Sequence, residues 1–380
     1  MKASATENRT HVTIMPKNLN YFEVPNKQIY YFSDNGDFGS EIDDLKSNKL
    51  RVYSDDNDFN FYIRYGDVLN QNNIIFDTRV TPKTSETAFY YSDRFIQFST
   101  KREPDEIIYG LGQRQSNFLL PNGIYTIFPF DQNIMTDNGD LSHGGNIYGH
   151  HPFYIKFSKK TQTAIGVYMH TSSPLDFLIR DTYITTRAVN GIIDLYFFSG
   201  PTIQDVIKQY HQLIGYAKMM PFWAFGWHLG KDRFNDPGQI QHVLNQHHEN
   251  NIPLDGIWHG AEYTKNNTQF TVDDKVFSNS ETFSLFSKTI TEKYGVHYIP
   301  MIDEGIADTT YQPKTEGERM DVFLKMANSE QLVKVQTAYG TSLIVDYFHV
   351  NASVYWENIF ERLRKQISFS GKFHFKHNSI

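Results

Sequence analysis

A carboxylate at the end of an apolar segment is well placed to do chemistry in this sequence. Asp303 directly follows the apolar residues 296–302. If this segment is a strand of a closed parallel barrel, the carboxylate lies at the carboxyl end of the strand, where such folds bind their ligands. Asp303 is equally compatible with a helix cap or a loop.

Histidines form three close pairs: His150 with His151, His247 with His248, and His374 with His377. Adjacent histidines on a helix point to different faces, and residues three apart on a strand face opposite sides. These spacings favour structural or solvent-facing histidines over metal ligands. The Gly-Leu-Gly that follows Tyr109 precedes no predicted helix, so it does not indicate a dinucleotide loop. The sequence therefore predicts neither a metal nor a cofactor.

The composition excludes several classes of protein. The chain has 380 residues, a net charge of −7 and no block of Lys and Arg, so nucleic-acid binding is not expected. No apolar run reaches the roughly 18 residues of a membrane span. The lack of Cys excludes disulfides, Cys-zinc sites and thiol nucleophiles. Residues 1–14 lack the apolar core of a signal peptide, so no secretion signal is predicted and the compartment stays open.

Two kinds of pattern divide the chain. Residues 11–193 consist of short apolar and aromatic runs separated by Asn, Asp, Gly and Ser, which is typical of an antiparallel β-sandwich. The first helical periodicity covers residues 201–215. Because a chain of this length exceeds the usual size of one core, we predict two domains, at residues 10–215 and 216–380.

Strands and helices alternate in the second domain. Strands are predicted over residues 222–230, 254–263, 296–302 and 372–377, and an extended stretch is predicted at 342–348. Helices are predicted over residues 236–251 with Asp236 as N-cap, and over 280–294, 316–328 and 351–367. Such alternation indicates a parallel sheet with helical crossovers. A (β/α)₈ barrel needs typically about 250 residues, so only about four of its eight strands are expected here.

Six segments in the same order resemble motifs of glycoside hydrolase family 31, the α-glucosidase family. They are YGLGQR at 109–114, GHHPFY at 149–154, YFFSGP at 196–201, MPFWAFGWHL at 220–229, NIPLD at 251–255 and YIPMID at 298–303. The resemblance implies a galactose-mutarotase-like β-sandwich followed by a truncated TIM-type barrel. It also implies an α-glucoside oligosaccharide as ligand and hydrolysis with retention of configuration.

The resemblance places the catalytic nucleophile at a position that cannot perform the reaction here. Retaining hydrolysis needs two carboxyl groups, and the family supplies the nucleophile from an Asp-Met-Asn-Glu strand. In the matching residues 371–378 that position is Phe375, whose phenyl ring cannot form a glycosyl ester. The family's acid/base Asp would fall beyond Ile380. We therefore expect a truncated chain with no catalytic residue, inactive by itself.

The resemblance also implies a set of substrate-binding candidates, which are Asp131, Asp303, Trp227 and Glu262. Asp131 matches a sandwich-loop residue that binds the non-reducing glucose, or is a turn residue. Trp227 is either a platform for a sugar ring or part of the barrel core. Glu262 matches the second acid of an Asp-Ile-Asp-Tyr motif, whose first acid, the sugar ligand, is replaced by Gly260. The extra methylene of Glu262 favours a structural hydrogen bond over contact with the substrate.

Three hypotheses about function follow. The chain is a fragment of an α-glucosidase, a degenerate member that binds sugar or a partner without cleaving, or an enzyme completed by a second chain that supplies the remaining barrel. A half barrel exposes a strand edge, so a stable free monomer is the least expected state. Linkage preference, and whether residues 372–380 are genuine, stay open.

Overall fold

The structure, a computed structural model, describes most of the chain. The described residues are 2–5, 9–15, 50–55, 60–65, 74–114, 116–128, 145–146, 149–230, 234, 236–275, 280–337 and 340–371. Contacts divide the chain into two compact units, Met1–Ala217 and Lys218–Ile380. The division lies two residues beyond the boundary predicted at residue 215. None of the helices in these residues is long and apolar enough to cross a membrane.

The first unit is built from strands. They are β1 (Lys2–Ala5), β2 (Arg9–Ile14), β3 (Leu50–Asp55), β4 (Asn60–Tyr65), β5 (Ile74–Asp77), β6 (Tyr90–Tyr91), β7 (Ile96–Lys101), β8 (Glu106–Gly110), β9 (Leu119–Leu120), β10 (Gly123–Ile127), β11 (Phe153–Ser158), β12 (Thr163–Met169), β13 (Leu175–Ile179), β14 (Tyr183–Ala188) and β15 (Ile193–Ser199), followed by the helix α1 (Ile203–Ile214).

These strands form antiparallel sheets. A seven-stranded sheet has the order β1-β2-β15-β12-β11-β8-β9, and a five-stranded sheet has the order β10-β13-β14-β7-β6. The strands β3, β4 and β5 form a third sheet. A shared apolar core includes side chains from all three, among them Phe197, Phe177 and Phe76. In the described part of residues 11–193, the predicted β character is confirmed.

The strand β15 is buried on both faces, which explains its continuous apolar run. Leu195 and Phe197 belong to the core shared by the sheets, whereas Tyr196 and Phe198 pack with Tyr210 of α1. Alternate residues of a strand point to opposite faces, so α1 must cover the second face. A capping box stabilises the start of α1, because the Thr202 side chain accepts from the Asp205 N–H.

The second unit alternates strands and helices. Its elements are β16 (His228–Gly230), α2 (Pro237–Glu249), β17 (Gly256–His259), α3 (Ser280–Tyr294), β18 (His297–Pro300), β19 (Ile306–Ala307), α4 (Gln312–Arg319), β20 (Lys334–Thr337), β21 (Gly340–Leu343) and α5 (Ala352–Gln366). β16, β17 and β18 pair in parallel, and β19, β21 and β20 form a small antiparallel sheet. The predicted βα alternation is therefore present.

Helix boundaries follow the local capping chemistry where it is strong. Asp236 caps α2 as predicted, with its Oδ1 accepting from the Gln239 N–H at 3.0 Å. The helix predicted at residues 316–328 is misplaced, because α4 begins earlier with Pro313 in its first turn. It ends at Arg319, and Phe323 then pairs with Val345 in an isolated bridge.

Two predicted strands differ in their extent or partners. The segment at 222–230 is a strand only at its end, because Phe222–Phe225 forms a 3₁₀ turn before β16. The extended stretch at 342–348 overlaps β21, which pairs with β19 and β20 and does not join the parallel sheet. The strand predicted at 372–377 lies outside the described residues, so the parallel sheet that the structure describes has three strands.

Candidate functional site

The carboxyl ends of the parallel strands lie at one edge of their sheet. His228 of β16 pairs with Gly256 of β17, and Gly256 pairs with His297 of β18. The three strands therefore start side by side and run in the same direction. The Met301 N–H donates to the His259 carbonyl at 2.8 Å and continues the pairing past β18. The segments that follow β17 and β18 are therefore neighbours, and they carry the two candidate carboxylates.

Asp303 lies at this edge, three residues beyond β18, and is buried, with 7% of its surface exposed. Its carboxylate Oδ1 accepts from the Glu304 N–H at 2.7 Å. Its own N–H donates to Gln269 Oε1 at 3.1 Å, so its backbone is tied to the segment after β17.

Glu262 lies at the same edge, on a 3₁₀ turn that directly follows β17. Its side chain folds back over Gly260, so that a Cβ atom at position 260 would lie 2.3 Å from Glu262 Oε2. Oε2 is buried and has no hydrogen-bond partner within the described residues. A buried carboxylate oxygen without a donor is costly, so this oxygen is a position at which a ligand hydroxyl would be favourable.

His259, the last residue of β17, is fully buried below this edge. Its Nε2–H donates to the Phe234 carbonyl at 3.1 Å, so its Nδ1 accepts from the Tyr298 hydroxyl at 2.6 Å. These partners assign the neutral tautomer. Burial lowers the pKa of His259 to about 4, against a smaller opposing effect of the Phe234 carbonyl. His259 therefore positions the end of β17 and does not exchange protons near neutral pH.

Trp227 lies at the opposite edge from Asp303 and Glu262. Its N–H donates to Asp255 Oδ2 at 2.9 Å, and its carbonyl accepts from the Asp255 N–H at 2.7 Å, at the amino ends of β16 and β17. The structure does not bring Trp227 together with the two carboxylates. The physical reason is the 3₁₀ turn at Phe222–Phe225, which delays the strand until His228.

Two predicted positions lie outside the described residues. They are Asp131, the sandwich-loop candidate, and Phe375, which matches the nucleophile position. Of the predicted set, the structure therefore places Asp303 and Glu262 at the same edge of the parallel sheet.

Three histidines of these pairs form hydrogen bonds within the protein, which are His150, His151 and His247. A ring nitrogen of His150 lies 2.9 Å from the Ser173 carbonyl, and one of His151 lies 2.8 Å from the Tyr210 hydroxyl. His247 Nδ1 lies 2.9 Å from the Val243 carbonyl. Within the described ranges, no three His, Asp or Glu side chains come together in a way that could hold a metal ion.

Sequence reasoning missed three residues of this edge, which are Gln269, His259 and Tyr298. Gln269 is buried and bonded to the backbone of Asp303, but it lies in a loop whose path no sequence pattern fixes. His259 and Tyr298 could have been suspected, since each is a polar residue in an apolar strand, and buried polar groups need partners.

Comparison with known proteins identifies one family for both units. The family model for the "Glycosyl hydrolases family 31 TIM-barrel domain" matches residues 217–373. The model for the "Glycosyl hydrolase 31 N-terminal galactose mutarotase-like domain" matches residues 12–177.

Several curated proteins are similar in sequence. Glucoamylase 1 of Candida albicans is 29% identical over 379 residues, covering 96% of this chain and 38% of the relative. Glucoamylase 1 of Schwanniomyces occidentalis is 34% identical over 263 residues, covering 66% of this chain and 26% of the relative. The lysosomal α-glucosidase of the mouse is 28% identical over 77% of this chain and 30% of its own length. The chain thus spans less than two fifths of these relatives.

Solved structures share the fold. A family 31 dextranase from Flavobacterium johnsoniae, determined with isomaltotriose, matches with a TM-score of 0.74 and 16% identity over 97% of this chain and 44% of its own. The α subunit of glucosidase II matches with a TM-score of 0.68 and 17% identity over 86% of this chain and 41% of its own. At these identities the likeness supports the architecture of both units.

Proposed function

Because this chain belongs to glycoside hydrolase family 31, we propose that the carboxyl edge of its parallel strands binds α-linked glucose. The proposal places the chain in the carbohydrate metabolism of α-glucosides, as part of a retaining α-glucosidase. Its sequence relatives include glucoamylases and α-glucosidases.

The observation that carries the proposal is the joint position of Asp303 and Glu262. Both carboxylates follow the carboxyl ends of consecutive parallel strands, which is where (β/α) barrels build their active sites. Asp303 is buried with its backbone fixed by Gln269, and Glu262 has an oxygen without a donor in the described residues. Sugar hydroxyls donate hydrogen bonds well to such carboxylates.

The proposed binding does not by itself provide hydrolysis. A retaining mechanism needs a nucleophile and an acid/base carboxyl group about 5–5.5 Å apart. Phe375 stands at the position that matches the family nucleophile, and a phenyl ring cannot attack an anomeric carbon. We therefore propose that the polypeptide of residues 1–380, taken alone, binds an α-glucoside without cleaving it.

A non-catalytic role is the second candidate, and Phe375 together with Gly260 favours it. Gly260 stands where the resemblance places a sugar-binding Asp, so two functional acids of the family are replaced in this sequence. A chain with these replacements serves as a carbohydrate-binding or partner-binding protein. A complementing barrel chain is the partner that would turn binding into hydrolysis.

Calorimetry with maltose tests the binding proposal. The unaltered chain is expected to bind maltose, and Asp303→Asn and Glu262→Gln should each weaken binding by roughly tenfold, about 1.4 kcal/mol. Asp274→Asn, at an exposed loop carboxylate of the same unit, is the matched control and should bind normally. Equal affinity in all four proteins, or no binding by the unaltered chain, would refute the proposed site.

Hydrolysis assays separate the two candidate functions. We expect no release of glucose from maltose and none of nitrophenol from a nitrophenyl α-glucoside. Turnover that disappears in Asp303→Asn would show that the chain is an enzyme by itself and contradict the proposal, whereas turnover that persists in both site variants indicates a contaminating enzyme.

A further inference from the structure

Gln269 is a buried amide at the carboxyl edge with only part of its hydrogen bonding satisfied. It lies in the loop after β17, and 2% of its surface is exposed. Its Oε1 accepts from the Asp303 N–H at 3.1 Å. Its Nε2 is buried and has no hydrogen-bond partner within the described residues. The side chain therefore presents a donor that nothing in the described protein uses.

The orientation of this amide is fixed by chemistry. The two ends of a glutamine amide are often exchanged because oxygen and nitrogen look alike. Here the group that faces the Gln269 amide is the backbone N–H of Asp303, which is a hydrogen-bond donor. Of the two ends of the amide, only the oxygen can accept this bond. The NH₂ group is therefore the end of the amide that does not bond to Asp303, and it can only donate hydrogen bonds.

The loop that carries Gln269 is held rigidly. The Lys265 N–H donates to Thr271 Oγ1 at 2.9 Å, and Thr271 Oγ1 donates to the Thr268 carbonyl at 2.6 Å. Phe270 has a φ of 61°, a left-handed conformation that is rare for a bulky side chain. Strained backbone of this kind persists only where its surroundings impose it, and it is concentrated at functional sites.

We propose that Gln269 is a further sugar-binding residue, whose amide NH₂ donates to one hydroxyl oxygen of the bound glucose. This inference rests on the proposed function and deepens it. Asp303 and Glu262 are acceptors for hydroxyl hydrogens, whereas Gln269 is a donor to a hydroxyl oxygen. A sugar hydroxyl both donates and accepts, so an acceptor and a donor at one edge match the chemistry of a pyranose better than carboxylates alone.

The alternative is a structural amide that holds the loop to Asp303 and nothing more. Both interpretations predict that loss of Gln269 disturbs the site. The two interpretations differ in how loss of Gln269 changes the relative affinities for different ligands. A residue that bonds one hydroxyl discriminates against the analogue that lacks that hydroxyl, because its own polar group is then left unpaired. A structural residue affects all ligands alike.

The test is binding of glucose and its 2-, 3-, 4- and 6-deoxy analogues to the full chain, by ligand-observed NMR. Gln269→Met removes the amide, and Gln269→Glu keeps an oxygen for the Asp303 N–H while removing the NH₂ group, so one informative variant remains if the other fails to fold. Gln241→Met is the control, because the Gln241 amide on α2 is already bonded to Asn245 at 3.1 Å.

We expect the unaltered chain to bind several deoxy analogues more weakly than glucose, each roughly tenfold, because Asp303 and Glu262 also bond hydroxyls. The Gln269 variants should bind glucose roughly tenfold more weakly and no longer distinguish glucose from one of these analogues, while Gln241→Met behaves like the unaltered chain. Sugar binding by the unaltered chain with selection unchanged in the Gln269 variants would overturn this inference alone. No sugar binding by the unaltered chain would overturn the proposed function itself.

Discussion

The Tyr298 hydroxyl donates to His259 Nδ1 at 2.6 Å, in a part of the second unit where both residues are fully buried. The same imidazole donates from Nε2 to the Phe234 carbonyl. A single histidine thus joins β17 and β18 side by side, just below the edge that carries Glu262 and Asp303. The edge is held by hydrogen bonds as well as by apolar packing.

Tyr298→Phe is expected to destabilise the second unit by about 1–3 kcal/mol, because it leaves a buried imidazole nitrogen without its donor. Urea unfolding followed by tryptophan fluorescence measures this unit selectively, since all four tryptophans lie after residue 217. Tyr347→Phe, at an exposed side chain, is the control and should change the free energy of unfolding by less than about 0.5 kcal/mol. Equal effects of the two variants would contradict the importance of this bond.

The buried His259 makes the stability of the second unit depend on pH. Its pKa is lowered from 6.5 to about 4, so the unfolded state binds the proton more readily than the folded state. The stability that neutral, buried His259 gives the second unit is therefore fully present above pH 6.5 and is lost as pH falls toward 4. The loss amounts to roughly 3 kcal/mol at 1.36 kcal/mol per pKa unit.

His259→Gln should flatten the dependence of unfolding free energy on pH between about 6.5 and 4. The variant is less stable at pH 7 but loses less on acidification. Burial also lowers the pKa of His297 in the same unit, so some slope remains. An unchanged slope in the variant would show that His259 is not the group responsible.

The parts of the fold that local chemistry determines were predictable. Asp236 and Pro237 mark the start of α2, and α3 occupies the predicted residues 280–294, because capping residues and apolar spacing act over a few residues. The positions of Asp303 and Glu262 after consecutive parallel strands agree with the predicted strands at 254–263 and 296–302, and their role in sugar binding stays a prediction.

Other features depend on geometry that no short segment encodes. Trp227 was a site candidate because its segment looked like a strand, yet a 3₁₀ turn at Phe222–Phe225 places it at the amino end. Gln269 bonds to the Asp303 backbone from a loop in which Phe270 has a positive φ. Such loop paths are fixed by tertiary contacts, so sequence alone could not reveal these residues.

Glu316 joins α4 to α5 through a nearly buried network. Asn358 Nδ2 donates to its Oε1 at 2.9 Å, Gln312 Nε2 donates to its Oε2 at 2.7 Å, and Arg362 forms an ion pair with Oε2. Burial acts to raise the pKa of Glu316, but Arg362 and the two amides outweigh it and hold that pKa below its ordinary value.

Glu316→Gln should cost about 1–2 kcal/mol at pH 7, a modest loss because Arg362 is partly exposed and its charge is screened. Since the folded-state pKa is lowered, the contribution is present above the unfolded pKa of about 4.3 and lost as pH falls below it. The difference in stability between the variant and the unaltered chain should therefore shrink as pH falls below about 4.3. Glu361→Gln, at an exposed position of α5, is the control.

Gly260 and Glu262 offer a steric test of the proposed site. Gly260 has a φ of −62°, which alanine adopts without strain, so any effect of Gly260→Ala comes from the new Cβ atom. That atom would lie 2.3 Å from Glu262 Oε2, closer than van der Waals contact allows. The carboxylate must turn away, and we expect maltose binding to weaken roughly tenfold, as it does in Glu262→Gln.

The double variant Gly260→Ala with Glu262→Gln distinguishes one shared cause from two separate ones. If Gly260→Ala acts only by displacing the Glu262 carboxylate, the double variant binds maltose about as weakly as either single variant. Independent causes would multiply to roughly a hundredfold loss. Multiplicative losses in calorimetry would therefore refute the interpretation that Gly260→Ala acts by displacing the Glu262 carboxylate.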